Sequence, residues 1–207
     1  MPDTATGNFV VAELIPTRQP GKPKLRPQNL PPYPRRVSMS AVVKQAKAQI
    51  MAAVGPDQVA VGVPDGCARI YCAASAQVRL GPSRVALAED CSNAHNSLCR
   101  KCALEQYSMR ASMFRQPSAA RHGRPTTRTW YLPGGRREVA TSERGYWQGD
   151  PLANAGLAVA IVEPTRALKV EAEGVDPKLS VYQDADDVRM VASRAALPAL
   201  SDALRRL

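Results

Sequence analysis

Apolar positions recur at helical spacing between Ser38 and Val54, in the run SMSAVVKQAKAQIMAAV. Val42, Val43, Ala46, Ile50 and Val54 share one side, a serine can cap the start, and Gly55-Pro56 stops the helix. A second helix is expected over roughly 66–78. Arg84-Val85-Ala86-Leu87-Ala88 reads as a short buried strand ending at Glu89-Asp90. Residues 92–113 read as one helix with an Asn/Ser-rich start. Residues 125–147 alternate in the strand manner around Leu132-Pro133-Gly134-Gly135, which predicts a hairpin. A helix is expected from about Pro151 to Lys169, with Leu152, Ala155, Ala158, Val159 and Val162 on one side. A strand near Leu179–Tyr182, the acidic turn Asp184–Asp187, a strand over Val188–Ala192 and a helix to Leu207 complete the chain. The order is αα, βα, hairpin, α, ββ, α, without internal repeat. It predicts an α+β fold with an antiparallel sheet and packed helices.

The first 37 residues read differently. Seven prolines between Pro16 and Pro34 remove backbone donors and pin φ, so this stretch is expected to be an extended basic arm rather than a helix or an interior strand. The remainder, residues 38–207, is expected to form a single domain. Its 44% apolar content excludes wholesale disorder, but aromatics make up only 5%. The core must therefore be built mainly from Ala, Val and Leu, which predicts marginal stability. Leu157–Val162, the longest apolar stretch, is far too short to cross a bilayer. With no signal-peptide pattern at the start, the expectation is a soluble intracellular chain, nuclear if eukaryotic.

A formal charge of +10 predicts an anionic partner. The charge is uneven. Residues 1–50 carry eight basic and two acidic side chains and residues 100–150 carry ten and four, whereas 51–99 and 151–207 are each net −1. Two basic stretches thus alternate with two that hold most of the acids. This suits a surface gripping phosphates around an acidic centre, or simply a solvated basic face. Nucleic acid is the commonest partner of such a chain, but an acidic membrane surface or a ribonucleoprotein assembly has the same charge requirement.

Three acids are placed where chemistry could occur. Asp90 closes an apolar strand, and Asp186-Asp187 occupy a tight turn between two others. Carboxylates at strand ends facing a basic surface could hold a divalent metal against a phosphate, although Asp also favours ordinary hairpin turns. Trp130, Tyr131, Tyr146 and Trp147 lie near Arg128, Arg136, Arg137 and Arg144. These could stack bases and neutralise phosphates, or the aromatics could fill a core that is otherwise poor in them; the second is favoured.

Cys91, His95, Cys99 and Cys102 resemble a metal cluster, and Cys99–Cys102 is a CxxC. On one continuous helix they spread over about 16 Å of axis, too far for one tetrahedral zinc. A two-residue site completed by another segment, with His122 as a candidate, stays open. Thiols packed as small apolar groups are the favoured reading. A redox CxxC is expected to start a helix after a strand in a thioredoxin-like unit, and that context is missing. Five cysteines, an odd number, point to reduced thiols rather than a disulfide framework.

A series of motifs in order resembles the reverse transcriptases of non-LTR retrotransposons. Leu14-Ile15-Pro16 and Pro20–Pro27, read as PGKPKLRP, resemble the opening of the fingers. Val61–Gly66, GVPDG after a valine, resembles the turn before a helix, and Asp90–Ser97 resembles motif A. Gln148–Leu152 is the QGDPL of motif B, and Ala185-Asp186-Asp187-Val188 follows about 35 residues later as motif C.

The resemblance spans about residues 12–205 and implies a palm-type antiparallel sheet with helices on one face, plus a helical and extended fingers portion. It implies template-directed addition of deoxynucleotides to a primer by two-metal phosphoryl transfer with Mg²⁺, or Mn²⁺. The implied partners are an RNA template, a DNA primer and deoxynucleoside triphosphates, with no membrane. It assigns Asp90, Asp186 and Asp187 to catalysis and metal binding, Lys24 and Arg26 to the triphosphate, and Gln148 and Gly149 to the nucleotide pocket. His95 stands where the family places an aromatic against the sugar, Asp184 where it places an aromatic before motif C, and Ala153-Asn154-Ala155-Gly156 where bulky residues normally follow motif B. The last two departures predict added repulsion among the acids and thin packing beneath the site. With about 20 residues after Asp187, a thumb is expected to be absent or supplied by a partner chain. A decayed nucleic-acid-binding module and a structural subunit of a ribonucleoprotein are the alternatives.

Overall fold

The structure, a computed structural model, describes residues 11–18, 20–21, 25–56, 58–91, 93–123, 125–131, 135–147 and 149–205. The proline-rich arm is extended, as two strands, β1 (Val11–Arg18) and β2 (Leu25–Leu30). They pair antiparallel with Pro16 opposite Pro27. β1 is also an interior strand, meeting β4 (Thr126–Tyr131) in parallel over Val11–Glu13, and β4 pairs antiparallel with β5 (Arg137–Ser142). The sheet order is β2-β1-β4-β5. Both paired prolines lie beyond the three residues where β1 meets β4, so their missing donors do not interrupt that ladder.

Helix α1 (Tyr33–Val54) starts earlier than the Ser38 cap pattern predicts. Pro34 sits in its first turn, where an N–H would lack an intrahelical partner, and the Ser38 hydroxyl instead donates back to the Arg35 carbonyl at 3.1 Å. After α2 (Gly66–Leu80) comes β3 (Arg84–Asp90). The single helix expected over 92–113 is three: α3 (Ala94–Ser97), α4 (Arg100–Arg110) and α5 (Ser112–His122). The break at Leu98 and Cys99 has a long-range cause. The carbonyls of His95 and Leu98 accept the N–H groups of Tyr146 and Gly145, which pulls the chain out of helical conformation. The helix expected over 151–169 is likewise two, α6 (Pro151–Ala160) and α7 (Val162–Val175). Pro164, in the first turn of α7, cannot donate to the preceding turn.

The second sheet is antiparallel throughout, in the order β3-β7-β6, from β6 (Ser180–Asp184), β7 (Asp187–Ser193) and β3. Helix α8 (Leu197–Arg205) follows a single 3₁₀ turn. Val181, Val188, Met190 and Ala192 pack with Leu168 and Ala172 of α7 and Leu200 of α8 in one core cluster. The larger cluster joins α1, α4, α5 and α6 around Ile50, Tyr107, Phe114, Tyr146 and Leu152.

Three aromatics, Tyr107, Phe114 and Tyr146, sit in that larger cluster. Tyr146 and Trp147 are fully buried, as the core-filling reading of these two residues expects, and Tyr107 meets Phe114 edge to face at 4.9 Å. The small residues after motif B do not leave the packing thin; they admit these rings. A Cβ on Gly156 would lie 2.7 Å from the Tyr107 hydroxyl, which donates to the Gly156 carbonyl at 2.9 Å and is also hydrogen-bonded to the Tyr146 hydroxyl. Alanine normally stabilises a helix interior over glycine by about 1 kcal/mol. Here overpacking of about 1–3 kcal/mol opposes that gain. Gly156→Ala is therefore expected to lower the urea midpoint, and a raised midpoint would show that the tyrosines yield freely.

Candidate active site

Register decides the relation of the acids. Asp90, the last residue of β3, lies opposite Asp187, the first of β7, and Asp187 lies opposite Asp184, the last of β6. Directly opposed residues share a face, with Cα atoms about 5 Å apart. Asp184, Asp187 and Asp90 thus form a cross-strand row at one end of the sheet. Alternation puts Ser180 and Tyr182 on the same face, where both hydroxyls accept from Gln77 of α2 at 3.0 and 2.7 Å. Asp186 sits in the β6–β7 turn beside this row, its carbonyl receiving the Cys91 N–H at 3.4 Å.

Partial desolvation, then the carboxylates of Asp186, Asp90 and Asp184, raise the Asp187 carboxyl above its ordinary value, with Arg189 opposing. Partial burial of its sulfur, then Asp186, Asp90 and Asp187, raise the Cys91 thiol in the same way. These are hard oxygen donors that repel one another, the donor chemistry that suits Mg²⁺. Among the described residues, however, no group of three His, Cys, Asp or Glu side chains is arranged to hold a metal ion.

The turn that carries Asp186 is backbone-strained. Ala185 has φ +53°, a left-handed conformation unfavourable for a residue with a Cβ. Two glutamines, each 3% exposed, hold it there. Gln58 accepts the Ala185 N–H at 3.0 Å, and Gln183 donates to the Ala185 carbonyl at 3.0 Å. The Val59 N–H donates to the Gln183 carbonyl at 2.8 Å, tying the loop before α2 to the same turn. Nothing local in the sequence singles out Gln58, because its partner lies 127 residues away. Gln58→Ala is expected to cost about 1–3 kcal/mol by orphaning the half-buried N–H groups of Ala60 and Ala185. Amide exchange at Ala185 checks it: protection there should fall more than at β3, and equal loss everywhere would remove the turn-specific role.

His95 stands half-buried on α3, its Nε2 3.0 Å from Asn154 Oδ1 on α6, so motifs A and B are joined through this pair. Gly149 adopts φ +94° ahead of α6, a conformation that favours glycine. Asp150 caps α6, accepting the Leu152 N–H at 2.9 Å, and receives Arg35 Nε at 2.9 Å in a fully buried ion pair. The same guanidinium lies 4.0 Å from the centre of the Trp147 ring.

Lys24 and Gln148 lie outside the described residues, as do the side chains of Arg26, Arg128, Trp130, Tyr131 and His122. Arg136 and Arg137 are exposed at the β4–β5 hairpin of the other sheet, where Arg136 bridges to Glu138 at 3.2 Å. Arg144 is exposed, but its backbone carbonyl is held by Arg100 at 3.0 Å. Sequence reading missed Arg100. Buried at the start of α4, it also donates to the carbonyls of Gly145 and Ser142, at 2.8 and 2.9 Å, and so fixes the approach to motif B. The cysteines correct another expectation: all five are exposed rather than packed as apolar groups. Among the described residues no helix is long and apolar enough to cross a membrane.

By sequence, no family model and no curated protein matches the chain. Its structure is similar to solved telomerases. Apo telomerase from Candida tropicalis, truncated from the C-terminal domain, superposes with a TM-score of 0.67 at 12% identity over 95% of this chain and 46% of that one. Telomerase from Candida albicans, in complex with the TWJ fragment of telomeric RNA, gives a TM-score of 0.66 at 8% identity over 100% of this chain and 41% of that one. The chain thus spans less than half the length of these proteins. At such identities the likeness is one of fold. The α+β architecture is shared with these telomerases.

Proposed function

We propose that this chain is a reverse-transcriptase-like nucleic-acid-binding unit that adds deoxynucleotides to a primer 3′-hydroxyl, of the non-LTR retrotransposon type. The observation that carries the reading is the carboxylate row Asp184–Asp187–Asp90 with Asp186 at the adjoining turn. It stands at the sheet end in a fold that superposes on a telomerase solved with telomeric RNA. RNA template, DNA primer and deoxynucleoside triphosphates are the proposed partners. A thumb supplied by another chain or segment would complete the duplex clamp.

Asp90, Asp186 and Asp187 would hold Mg²⁺, which supplies charge neutralisation between the primer hydroxyl and the triphosphate. The chain's own part is positioning. Gln58 and Gln183 hold the turn that presents Asp186. His95, steadied by Asn154, would border the sugar, and Gly149 would let the backbone approach the base pair. The Arg35–Asp150 pair anchors motif B to α1.

Primer extension on a poly(rA)/oligo(dT) duplex with Mg²⁺ tests this, run beside an Asp186→Ala, Asp187→Ala double variant. Extension by the native chain and its loss in the variant are expected. Binding of the same duplex should weaken steeply with salt, because phosphate neutralisation releases counterions. The second reading is a binding module without turnover. It draws on the finding that, among the described residues, no three His, Cys, Asp or Glu side chains are arranged to hold a metal ion. Salt-sensitive binding with no extension would select it, and salt-insensitive association would reject both.

A further inference from the structure

The break before α4 gives the CxxC a setting that a continuous helix would deny it. Cys99 is the N-cap residue of α4, and its sulfur accepts the Cys102 N–H at 3.3 Å. The two sulfurs lie 2.7 Å apart and both residues are exposed, so the thiols are already within reach of each other. Bonds from Cys102, first its thiol and then its N–H, lower the Cys99 thiol below its ordinary value, and Arg144 adds to this. Its partner is raised correspondingly, by the bond to Cys99 and then by burial. One thiol is thus set up as attacking group and the other as resolving group. Lys101 lies between them, and the first turn of α4 also borders a cavity of about 440 Å³ lined in part by Lys101 and Arg115. In that lining Arg100, Lys101 and Arg115 outweigh the one acid, Glu105, which favours an anionic co-reactant.

We propose that Cys99 and Cys102 form a redox-active dithiol that closes to an intramolecular disulfide by exchange with a small anionic disulfide of the oxidised-glutathione type. The Cys99 thiolate attacks one sulfur of the reagent; the reagent's S–S bond breaks and one thiolate leaves. Cys102, having given its proton to solvent, attacks the Cys99 sulfur and expels the second thiolate. Both leaving groups take up protons, so the protein loses two electrons and two protons and the reagent gains them. Arg100 lies inside the closed ring, so the disulfide would set the turn that holds the Ser142, Arg144 and Gly145 carbonyls.

The test treats the full chain with oxidised glutathione at pH 7, followed by timed alkylation and peptide mapping. The expected result is a Cys99–Cys102 link formed about tenfold faster than Cys67 or Cys72 is modified, since rate follows thiolate character and access. Cys102→Ser should retain glutathione on Cys99 as a lasting mixed disulfide. In concentrated urea the preference for Cys99 should vanish, because the fold creates it. Absence of the link, modification of Cys67 or Cys72 at the same rate, or a preference that survives urea would each overturn the proposal.

Discussion

Arg35→Met will lower the unfolding free energy by about 3–5 kcal/mol, the cost of leaving one partner of a buried ion pair uncompensated. Both side chains are fully buried, and Arg35 reaches Asp150 through Nε and Nη2 while lying against the Trp147 ring. Methionine preserves much of the stem packing but not the charge, so the loss isolates the ionic term. Asp150→Asn should fall close to the same cost. Its amide oxygen can still accept the Leu152 N–H and cap α6, but the guanidinium loses its counter-charge. Asp150→Ala should cost about 1 kcal/mol more, because the cap is lost as well. Urea unfolding of the three variants measures these differences. Losses below about 1 kcal/mol for Arg35→Met would mean that water or another donor takes over the role of Arg35 at Asp150.

Arg35 also shows where sequence reading runs out. Its place in a proline-rich basic stretch suggests a solvated cation, yet its partner lies 115 residues away in motif B. The same holds for the helix expected over 92–113. Its periodicity is continuous, but Tyr146 and Gly145 draw off the carbonyls of His95 and Leu98, and no local signal reports that. Elements whose cause is local were legible: the alternation that yields the β4–β5 hairpin, and the apolar runs of β3, β6 and β7 flanking acids. The prolines were read too strictly. Pro16 and Pro27 sit where β1 lacks its second neighbour, a distinction of register rather than composition. Motif spacing placed Asp90 and Asp186-Asp187 at strand ends. That Asp184 joins Asp187 and Asp90 in one row follows only from the pairing of three strands.

This row sets stability against chemistry, and Asp187→Asn separates the two. Desolvation and then Asp186, Asp90 and Asp184 raise the folded-state value of Asp187 above its ordinary one. The folded chain therefore binds this proton more tightly than the unfolded chain does. The stability linked to it is fully present below the unfolded carboxyl value, about 3.9, and is lost as pH rises through the folded value. At pH 7 the ionised carboxylate opposes folding. Asparagine removes that opposition, and the side chain is exposed, so screening limits the gain to about 0.5 kcal/mol. Variant and native chain should converge in stability below about pH 3.5, where the native carboxyl is also neutral. Millimolar Mg²⁺ should stabilise the native chain by about 1.4 kcal/mol at ten times its dissociation constant, and the variant by less. Primer extension should move the other way, falling by about 10²–10³ as charge stabilisation at the reacting phosphate is lost. Unfolding curves at pH 7 and pH 3.5, with and without Mg²⁺, read all of these except extension. A variant less stable than the native chain at pH 7 would mean that Asp187 is held by a favourable bond, and the repulsion assigned to the row would be wrong.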